Sequence, residues 1–348
     1  MIGKISPKIS VAGILAIALS TLFLSCSPDK DTRLSVDSQG RTVVERYGQL
    51  KIVGTNLCDS NGNPVQLRGM SSHGLQWHGK YANTKVLRWL RDDWNAQLWR
   101  AAMYLTEGGY INNPALKERV IASIEAAVEN GMYVLVDWHV HLDKNPQLYK
   151  AQALEFFADI ASRYGHLPNV IYEICNEPNG THVTWSADIK PYAEEVIAEI
   201  RKHDPDNIII VGTPTWSQDV DIAAADPIAT DANVMYTVHF YAGSHGKELR
   251  DKVARALELG APVFATEWGT TMNTGGGGVF EKETLEWLSF LKKNNISWAN
   301  WSVNNKGEDS GILNFNADRF AEGNWKESDL SRSGIFIRKI LRNEIKVK

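Results

Sequence analysis

The chain has 348 residues, 43% of them hydrophobic and 22% charged, a composition typical of a globular protein of one or two domains. The formal net charge of −4 gives no basic surface of the kind that indicates a nucleic-acid partner or a charged membrane-binding face. Tryptophan is abundant, with 12 residues, and we expect about half of them in the core and the rest along a cleft for a flat ligand.

The first 26 residues have the pattern of an export signal. Lys4 and Lys8 give a positive start, and residues 11–24 form an apolar stretch that is too short to span a membrane. Ser25 and Cys26 follow, and this pair resembles a bacterial lipobox, where the cysteine becomes lipidated. The sequence predicts a lipoprotein signal peptide over 1–25, lipid on Cys26 and a flexible polar tether over 26–42. An ordinary signal peptide cut near Ser25 is the alternative.

Beyond residue 43, strand-like and helix-like segments alternate to the end of the chain. Short apolar runs within 43–68 flank an Asn61–Gly62 turn and predict a β-hairpin ahead of the main domain. The predicted strands that follow are 66–71, 96–104, 133–138, 170–176, 208–212, 234–239, 262–267 and 297–301. The predicted helices are 114–131, 151–164, 189–202, 247–259, 282–294 and 333–344.

These segments favour an α/β fold in which a parallel sheet closes into a (β/α)8 TIM barrel over 43–348. Runs such as 134–136 and 208–211 are apolar throughout, as expected of strands that helices cover on both faces. A doubly wound open sheet is the alternative, but it would carry a glycine-rich phosphate loop after its first strand. The only such run, 275–278, follows the seventh strand and lacks the Lys-Ser/Thr pair, so we interpret it as an ordinary loop.

Polar and aromatic residues concentrate at the carboxyl ends of the predicted strands, where TIM barrels build their active sites. These residues are Ser72, His73, Trp77, Arg100, Tyr104, Trp138, His139, His141, Asn176, Glu177, Trp216, His239, Tyr241, Glu267, Trp268, Trp301, Lys306 and Glu308. Structural residues would not be expected to gather there, so the pattern predicts a cleft at the barrel mouth.

Two carboxylates in this set suit the cleavage of an acetal bond. Glu177 ends the fourth predicted strand and Glu267 ends the seventh, so both meet at the mouth. The chemistry needs one protonated carboxylic acid and one ionised carboxylate, and Arg100 near Glu267 would favour ionisation there. Asn176 is placed to bond a sugar 2-hydroxyl, whereas Glu173 is expected to form a structural salt bridge.

The motifs that carry these residues resemble family 5 of the glycoside hydrolases, in its bacterial endoglucanase branch. The resemblance runs from about Tyr47 to the C-terminus and lies in the segments 67–77, 100–104, 137–139, 171–180, 238–241 and 265–269. It implies a retaining endo-β-1,4-glucanase with Glu177 as acid/base and Glu267 as nucleophile. The residues that it implies around the −1 sugar are Arg100, His139, Asn176, His239, Tyr241 and Trp301, with Tyr104 touching the same region.

The resemblance also implies a substrate class. Lys306 and Glu308 resemble residues that bind the −2 glucose, with Trp77 stacking nearby, His73 at the same mouth and Trp216 toward the leaving group. This set favours glucan over mannan, xylan or xyloglucan, which stay open as alternatives. A non-catalytic glycan-binding lipoprotein is another alternative, although both glutamates are present.

The expected partners follow from these interpretations. We expect a β-1,4-glucan polysaccharide or oligosaccharide as substrate, a membrane contact through the lipid alone, no nucleic acid, and a monomer that is exported and lipid-anchored or secreted. No cofactor is expected. His73, His139, His141 and His239 could together suggest zinc, but the sequence has no His-Glu-x-x-His motif and the carboxylate pair already accounts for the cleft.

Overall fold

The computed structural model describes residues 1–3, 34–316 and 320–348. Cys26 and the predicted signal peptide beyond residue 3 lie outside these ranges, so their assignment stays a prediction. The strands are β1 Lys51–Val53, β2 Asn56–Cys58, β3 Arg68–Ser72, β4 Leu98–Tyr104, β5 Tyr133–His139, β6 Val170–Glu173, β7 Ile209–Val211, β8 Val234–Tyr241, β9 Val263–Gly269 and β10 Trp298–Val303.

Helices alternate with these strands along the described chain. They are α1 Val43–Tyr47, α2 Leu75–His78, α3 Thr84–Asp92, α4 Lys117–Glu129, α5 Lys150–Tyr164, α6 Lys190–Ile200, α7 Pro214–Ser217, α8 Val220–Ala225, α9 Lys247–Glu258, α10 Glu281–Lys293 and α11 Arg332–Leu341. All six predicted helices are present, but the sequence missed α1, α2, α3, α7 and α8. In α3 four charged residues alternate with four apolar ones, of which Val86, Leu87 and Leu90 are buried. Within the residues described, no helix is both long and apolar enough to cross a bilayer.

The strands β3 to β10 close into a parallel barrel, which confirms the predicted TIM architecture. Each strand pairs with its neighbour in chain order, and β10 returns to β3 with Trp298 opposite Arg68. Apolar side chains that point outward from the barrel pack under the helices in the larger core. Leu98, Tyr133, Leu135 and Phe264 point inward and fill the barrel below its mouth.

The predicted N-terminal hairpin is present, and the chain reverses a second time at the predicted Asn61–Gly62 turn. β1 and β2 pair with Val53 opposite Asn56, so the chain reverses at residues 54–55. At the Asn61–Gly62 turn Cys58 forms an antiparallel bridge with Pro64, and the Asp59 carboxylate accepts the backbone N–H groups of Asn61 and Asn63. An aspartate that binds the backbone two and four residues ahead stabilises such a turn.

The first segment of the barrel domain is also helical rather than extended. α1 begins with a capping box in which the Thr42 hydroxyl accepts the Glu45 N–H and the Glu45 carboxylate accepts the Thr42 N–H. These two bonds satisfy backbone donors that a short helix would otherwise leave free. The helix buries Val43 and Tyr47 against the bottom of the barrel.

Candidate active site

A cleft of about 530 Å³ lies at the mouth of the barrel, at the carboxyl ends of the strands. It collects most of the predicted site residues: His73, Tyr104, His139, Glu177, Trp216, His239, Tyr241, Glu267, Trp301, Lys306 and Glu308. Arg100 and Asn176 are fully buried directly beneath it. The structure therefore brings together side chains from the ends of all eight barrel strands and the segments that follow them.

The two carboxylates predicted for catalysis face each other across this cleft. One oxygen of Glu177, one oxygen of Glu267 and one ring nitrogen of His239 all lie within 4.8 Å of one another. The Glu267 side chain is 6% exposed and that of Glu177 is 12% exposed. A separation of about 5 Å leaves no room for a water between a sugar carbon and the second carboxylate, which is the spacing of retaining glycosidases.

Arg100 organises the floor of the site from β4. Its guanidinium bonds both oxygens of Glu173 at 2.7 and 3.0 Å and donates to Glu267 Oε2 at 3.0 Å. It also donates to Asn176 Oδ1 at 2.6 Å and lies 2.9 Å from Asp137 Oδ2. The planar fork of arginine suits this convergence, because several acceptors can bind one rigid cation. Glu173 thus forms the predicted salt bridge, inside the barrel.

Glu267 is held from its other side by Tyr241. The Tyr241 hydroxyl donates to Glu267 Oε1 at 2.6 Å, so both carboxylate oxygens have a donor. Burial and the nearby charge of Glu177 raise the pKa of Glu267, while His239, Arg100 and the Tyr241 hydroxyl oppose that rise. These three groups therefore favour the ionised form that a nucleophile requires.

Glu177 is partnered by His239 on β8. The two side chains meet through Nδ1 and Oε1 at 2.9 Å, and the other ring nitrogen, Nε2, lies 2.9 Å from the Thr266 hydroxyl. Burial alone would lower the pKa of His239, but the nearby Glu173 carboxylate, the bond to Glu177 and the charge of Glu267 outweigh it and raise the pKa to about 9. The imidazole is thus a cation at neutral pH, beside the carboxylate expected to handle the proton.

His139 has the opposite electrostatic character. Burial and the charge of Arg100 lower its pKa well below the usual range, so the ring is neutral and its Nδ1–H donates to Asp137 at 2.6 Å. Its ring stacks on Tyr104 at 4.1 Å and on Trp301 at 5.5 Å between centroids. These three rings form one aromatic wall beside Glu267, where a flat sugar face can pack.

The residues predicted for the −2 sugar lie together on one side of this wall. The Lys306 ammonium binds Glu308 Oε2 at 2.8 Å, and Glu308 Oε1 accepts the Ser310 hydroxyl at 3.0 Å. His73 approaches Glu308 to 3.8 Å, and Trp77, 49% exposed, contacts His73 and Tyr104 edge-on. Charged groups beside an exposed indole can bind sugar hydroxyls and a sugar face together.

Trp216 stands on the opposite side of the cleft, presented by an unusual turn. Thr215, Trp216 and Ser217 all have positive φ, at 58°, 55° and 56°, which leaves the indole 45% exposed. Such backbone is costly for residues other than glycine and is found where a site demands it. The chain supplied no glycine or asparagine at these positions that would have signalled this conformation.

Sequence reasoning missed several residues of the cleft and misplaced two tryptophans. Thr215, Gln218, His245, Asn273 and Thr274 also line it. Trp138 and Trp268, by contrast, point away from the mouth and pack on Phe156 and Phe240 under the helices. Side chains alternate along a strand, so a residue next to a site residue faces the other way.

The expected division of the tryptophans was therefore wrong. Of the 12, only Trp77, Trp216 and Trp301 border the cleft. The fully buried examples include Trp94, Trp99 and Trp287 in the helix-covered core. Most of the indoles lie between the barrel and its helices, on the outer face of strands or the core-facing side of helices.

The histidines considered as zinc ligands do not assemble into a metal site among the residues described. The one group of three potential ligands there is Glu177, His239 and Glu267. Tyr241 and Arg100 already donate hydrogen bonds to Glu267. Arg100 and His239 supply the positive charge that a metal ion would otherwise supply at this site. The donor set fits acid–base chemistry between two carboxylates.

Similarity to known proteins extends over the whole barrel. The family model described as cellulase, glycosyl hydrolase family 5, matches residues 58–307. Endoglucanase A of Evansella cellulosilytica is 51% identical over 313 residues, and an endoglucanase of Clostridium saccharobutylicum is 52% identical over 293. The alignments cover 90% and 84% of this chain but 64% of each relative, so the chain spans just under two thirds of their length.

Solved structures agree with these matches. The catalytic domain of a Thermobifida fusca endoglucanase, crystallised with cellotetraose, is 40% identical with a TM-score of 0.81 and aligns over 86% of this chain and 99% of its own. A structure from Cytophaga hutchinsonii is 44% identical, with a TM-score of 0.84, over 87% of this chain and 97% of its own.

Proposed function

The chain belongs to glycosyl hydrolase family 5, and from this premise we propose that it is a retaining endo-β-1,4-glucanase. The single observation that carries the proposal is the pair of facing carboxylates, Glu177 and Glu267, within 4.8 Å of each other in an open cleft. An acid and a nucleophile at this distance can act on the same glycosidic bond from opposite sides.

The proposed reaction has two steps. In the first, the carboxylic acid of Glu177 gives its proton to the leaving glycosidic oxygen while the Glu267 carboxylate bonds to the anomeric carbon. In the second, the Glu177 carboxylate takes a proton from water, and the hydroxyl oxygen displaces Glu267 from that carbon. Two inversions retain the anomeric configuration, and both carboxyl groups return to their starting states.

The surrounding groups have roles that their contacts support. Arg100 and Tyr241 each bond one oxygen of Glu267, so they orient the nucleophile and favour its ionised form. His239⁺ lies against Glu177 and stabilises the carboxylate that remains after proton transfer. His139, Tyr104 and Trp301 offer ring faces to the −1 sugar, and Asn176, held by Arg100, is proposed to bond its 2-hydroxyl.

A β-1,4-glucan is the proposed substrate. The relatives with the highest similarity reported above are named endoglucanases, and one related structure contains cellotetraose. Lys306 and Glu308 form a charged pair at the end of the cleft beside Trp77, which suits a glucose at the −2 position. Trp216 lies at the other end, where the leaving sugar would stack.

We also propose that the protein is an exported, monomeric lipoprotein. The positive start, the apolar stretch over 11–24 and the Ser25–Cys26 pair support a signal peptide cut before Cys26. Residues 34–42 pack on the barrel, where Ser35 is buried and bonds the Arg91 carbonyl and Val36 pairs with Thr42, so we confine the proposed tether to 26–33. This arrangement places the enzyme on a bacterial membrane, attached by lipid alone.

The direct test is reducing-sugar release from carboxymethylcellulose, barley β-glucan, mannan and xylan. The wild type is compared with Glu267→Gln, which keeps the size of the side chain, and with Glu258→Gln, a control at an exposed position on α9. We expect cleavage of both glucans by the wild type and the control, and a loss of at least a thousandfold in Glu267→Gln, since a covalent nucleophile is removed.

Other outcomes of this experiment separate the alternatives. A preference for mannan or xylan, with Glu267→Gln inactive, would keep the mechanism and refute the role given to Lys306 and Glu308. Binding to the polymers without any cleavage would instead favour a non-catalytic glycan-binding protein. Product analysis by chain length then distinguishes internal cleavage, which the open cleft favours, from release of units at one end.

A further inference from the structure

The hydroxyl of Thr266 lies at the centre of a buried hydrogen-bond network behind the two carboxylates. It is 2.7 Å from Glu173 Oε1, 2.9 Å from His239 Nε2 and 2.5 Å from the Thr237 hydroxyl. Thr237, Glu173 and Thr266 itself are completely buried, so these bonds exclude water. Thr266 precedes Glu267 in the chain, yet its side chain contacts the partner of Glu177.

A threonine hydroxyl has one hydrogen, so it can donate to one of these neighbours at a time. Glu173 is the strongest acceptor among them: burial alone would raise its pKa, but the charge and hydrogen bonds of Arg100 and the nearby His239 ring lower the pKa to about 2. A bond to an ionised carboxylate is stronger than one to a neutral imidazole nitrogen. The Thr266 hydrogen therefore goes to Glu173, and its oxygen faces His239 as an acceptor.

His239 Nε2 must then carry a hydrogen in every protonation state. A lone pair on Nε2 would face the Thr266 oxygen at 2.9 Å and the Glu173 carboxylate at 3.7 Å, with no proton between them. The nitrogen that loses its proton is therefore Nδ1, which lies 2.9 Å from Glu177 Oε1. Neutral His239 can meet Glu177 only as a hydrogen-bond acceptor.

We propose that Thr266 is a positioning residue that fixes the Nε2–H tautomer of His239, so that the proton on Nδ1 is shared with Glu177 alone. The proposal rests on the proposed function, in which Glu177 is the acid/base. With the tautomer fixed, a neutral His239 would place its Nδ1 lone pair against the Glu177 carboxylate oxygen 2.9 Å away, so His239 holds its Nδ1 proton more tightly whenever Glu177 is ionised.

Other charged groups near His239 act on the pair without changing the tautomer argument. They are Glu173 on β6, Glu267 on β9, Arg100 on β4 and His139 on β5. None of them is within hydrogen-bond distance of His239 Nδ1 in the structure, whereas Glu177 is. Substitution at Thr266 therefore addresses the Nε2 side and leaves the Nδ1 contact in place.

Thr266→Val is the informative substitution, because valine has the shape of threonine without the hydroxyl. The remaining acceptor for Nε2–H is Glu173 at 3.7 Å, beyond hydrogen-bond distance, while Nδ1 is 2.9 Å from Glu177. The neutral ring of this variant should therefore move its hydrogen to Nδ1 and donate it to the Glu177 carboxylate. Thr266→Ser keeps the hydroxyl and serves as the matched control.

Nitrogen NMR of protein with ¹⁵N-labelled histidine tests the tautomer without any substrate. The His239 signal is assigned by its loss in His239→Gln and followed above the pH at which the ring becomes neutral. We expect the Nε2–H form in the wild type and in Thr266→Ser, and the Nδ1–H form in Thr266→Val. A neutral wild-type ring in the Nδ1–H form, or a Thr266→Val ring that stays Nε2–H, would overturn the proposal.

The pH at which His239 becomes neutral, read from the same ¹⁵N signals, gives a second readout. In Thr266→Val the neutral ring gains a hydrogen bond to the Glu177 carboxylate, so this pH should fall by about one unit, the size of one bond to a charged group. Thr266→Ser should keep the wild-type value, and an unchanged value in Thr266→Val contradicts the proposal. If the wild type cleaves no β-glucan, the proposed function fails, while the NMR result still decides the tautomer.

Discussion

Removal of the Tyr241 hydroxyl is the sharpest test of how the nucleophile is held. Tyr241→Phe deletes one oxygen, which donates to Glu267 Oε1 at 2.6 Å, and leaves the ring in place. A hydrogen bond to a charged group contributes about 1.5–3 kcal/mol, so kcat/KM should fall roughly 10- to 150-fold at the optimum pH. Loss of this hydrogen bond should also raise the pKa of the Glu267 carboxyl group.

The sign of the pH effect follows from the charges around Glu267. Burial raises its pKa, and the Tyr241 hydroxyl is one of the groups that lower it. Without the hydroxyl the pKa rises further, so the acidic limb of the kcat/KM profile should move to higher pH by about one to two units. Below that limb the nucleophile is protonated and the reaction stops.

The assay is hydrolysis of a soluble β-glucan across pH, with Tyr110→Phe as the matched control. Tyr110 loses the same oxygen but packs on Trp138 and Phe156 in the core, away from the carboxylates. We expect the control to keep the wild-type profile. A Tyr241→Phe enzyme within twofold of wild type and with an unmoved acidic limb would refute the role assigned to this bond.

Further predictions concern charge, substrate and anchoring. Arg100→Met strands the buried Glu173 carboxylate and should lower the free energy of unfolding in urea by about 3–5 kcal/mol, and a loss under 1 kcal/mol would contradict the network. Folding raises the pKa of His239 to about 9, so the interactions of its protonated ring stabilise the fold. This stabilisation is complete below about pH 6.5 and is lost as pH rises through 9. The Tm difference between wild type and His239→Gln should accordingly shrink between pH 6 and pH 10, and a constant difference would disprove it. Trp216→Ala should raise KM for cellotetraose several-fold with little change in protein stability. An unchanged KM would contradict the proposed stacking of a sugar on Trp216. Cys26→Ser should abolish incorporation of labelled fatty acid in a bacterial host, whereas continued labelling would refute lipidation at this cysteine.

The barrel and its catalytic pair were predictable from the sequence because two simple patterns coincide. Apolar runs such as 208–211 mark strands that are covered on both faces, and the barrel then places every strand end at one mouth. Glu177 and Glu267 follow from that rule, although 90 positions separate them in the chain. The salt bridge of Glu173 was predicted as well, but its partner was not, because the sequence assigned Arg100 to Glu267 alone.

What the sequence did not reveal depends on side-chain direction and on local backbone bonds. Trp138 and Trp268 adjoin site residues but point to the helix layer, because strand side chains alternate. The Asn61–Gly62 turn was predicted, but the earlier reversal at residues 54–55 between β1 and β2 was not. The positive φ values that expose Trp216 occur at residues that carry no such signal.

Thr266 illustrates a further limit. A threonine in a strand is unremarkable by propensity, and its position beside Glu267 suggested only a motif. Its function depends on three contacts from two other strands, to Glu173, Thr237 and His239. Contacts of this kind arise when the barrel closes, and no spacing along the chain encodes them.

The central claim, that Glu267 attacks the sugar across from Glu177, can be tested by trapping the covalent intermediate. The protein is incubated with a 2-deoxy-2-fluoro-cellobioside carrying a good leaving group, digested with pepsin and analysed by mass spectrometry. The account predicts one fluorocellobiosyl group on the peptide containing Glu267, and none in Glu267→Gln. Labelling of Glu177 or another carboxylate, or rapid hydrolysis of a true substrate with no labelled peptide at any pH, would contradict it.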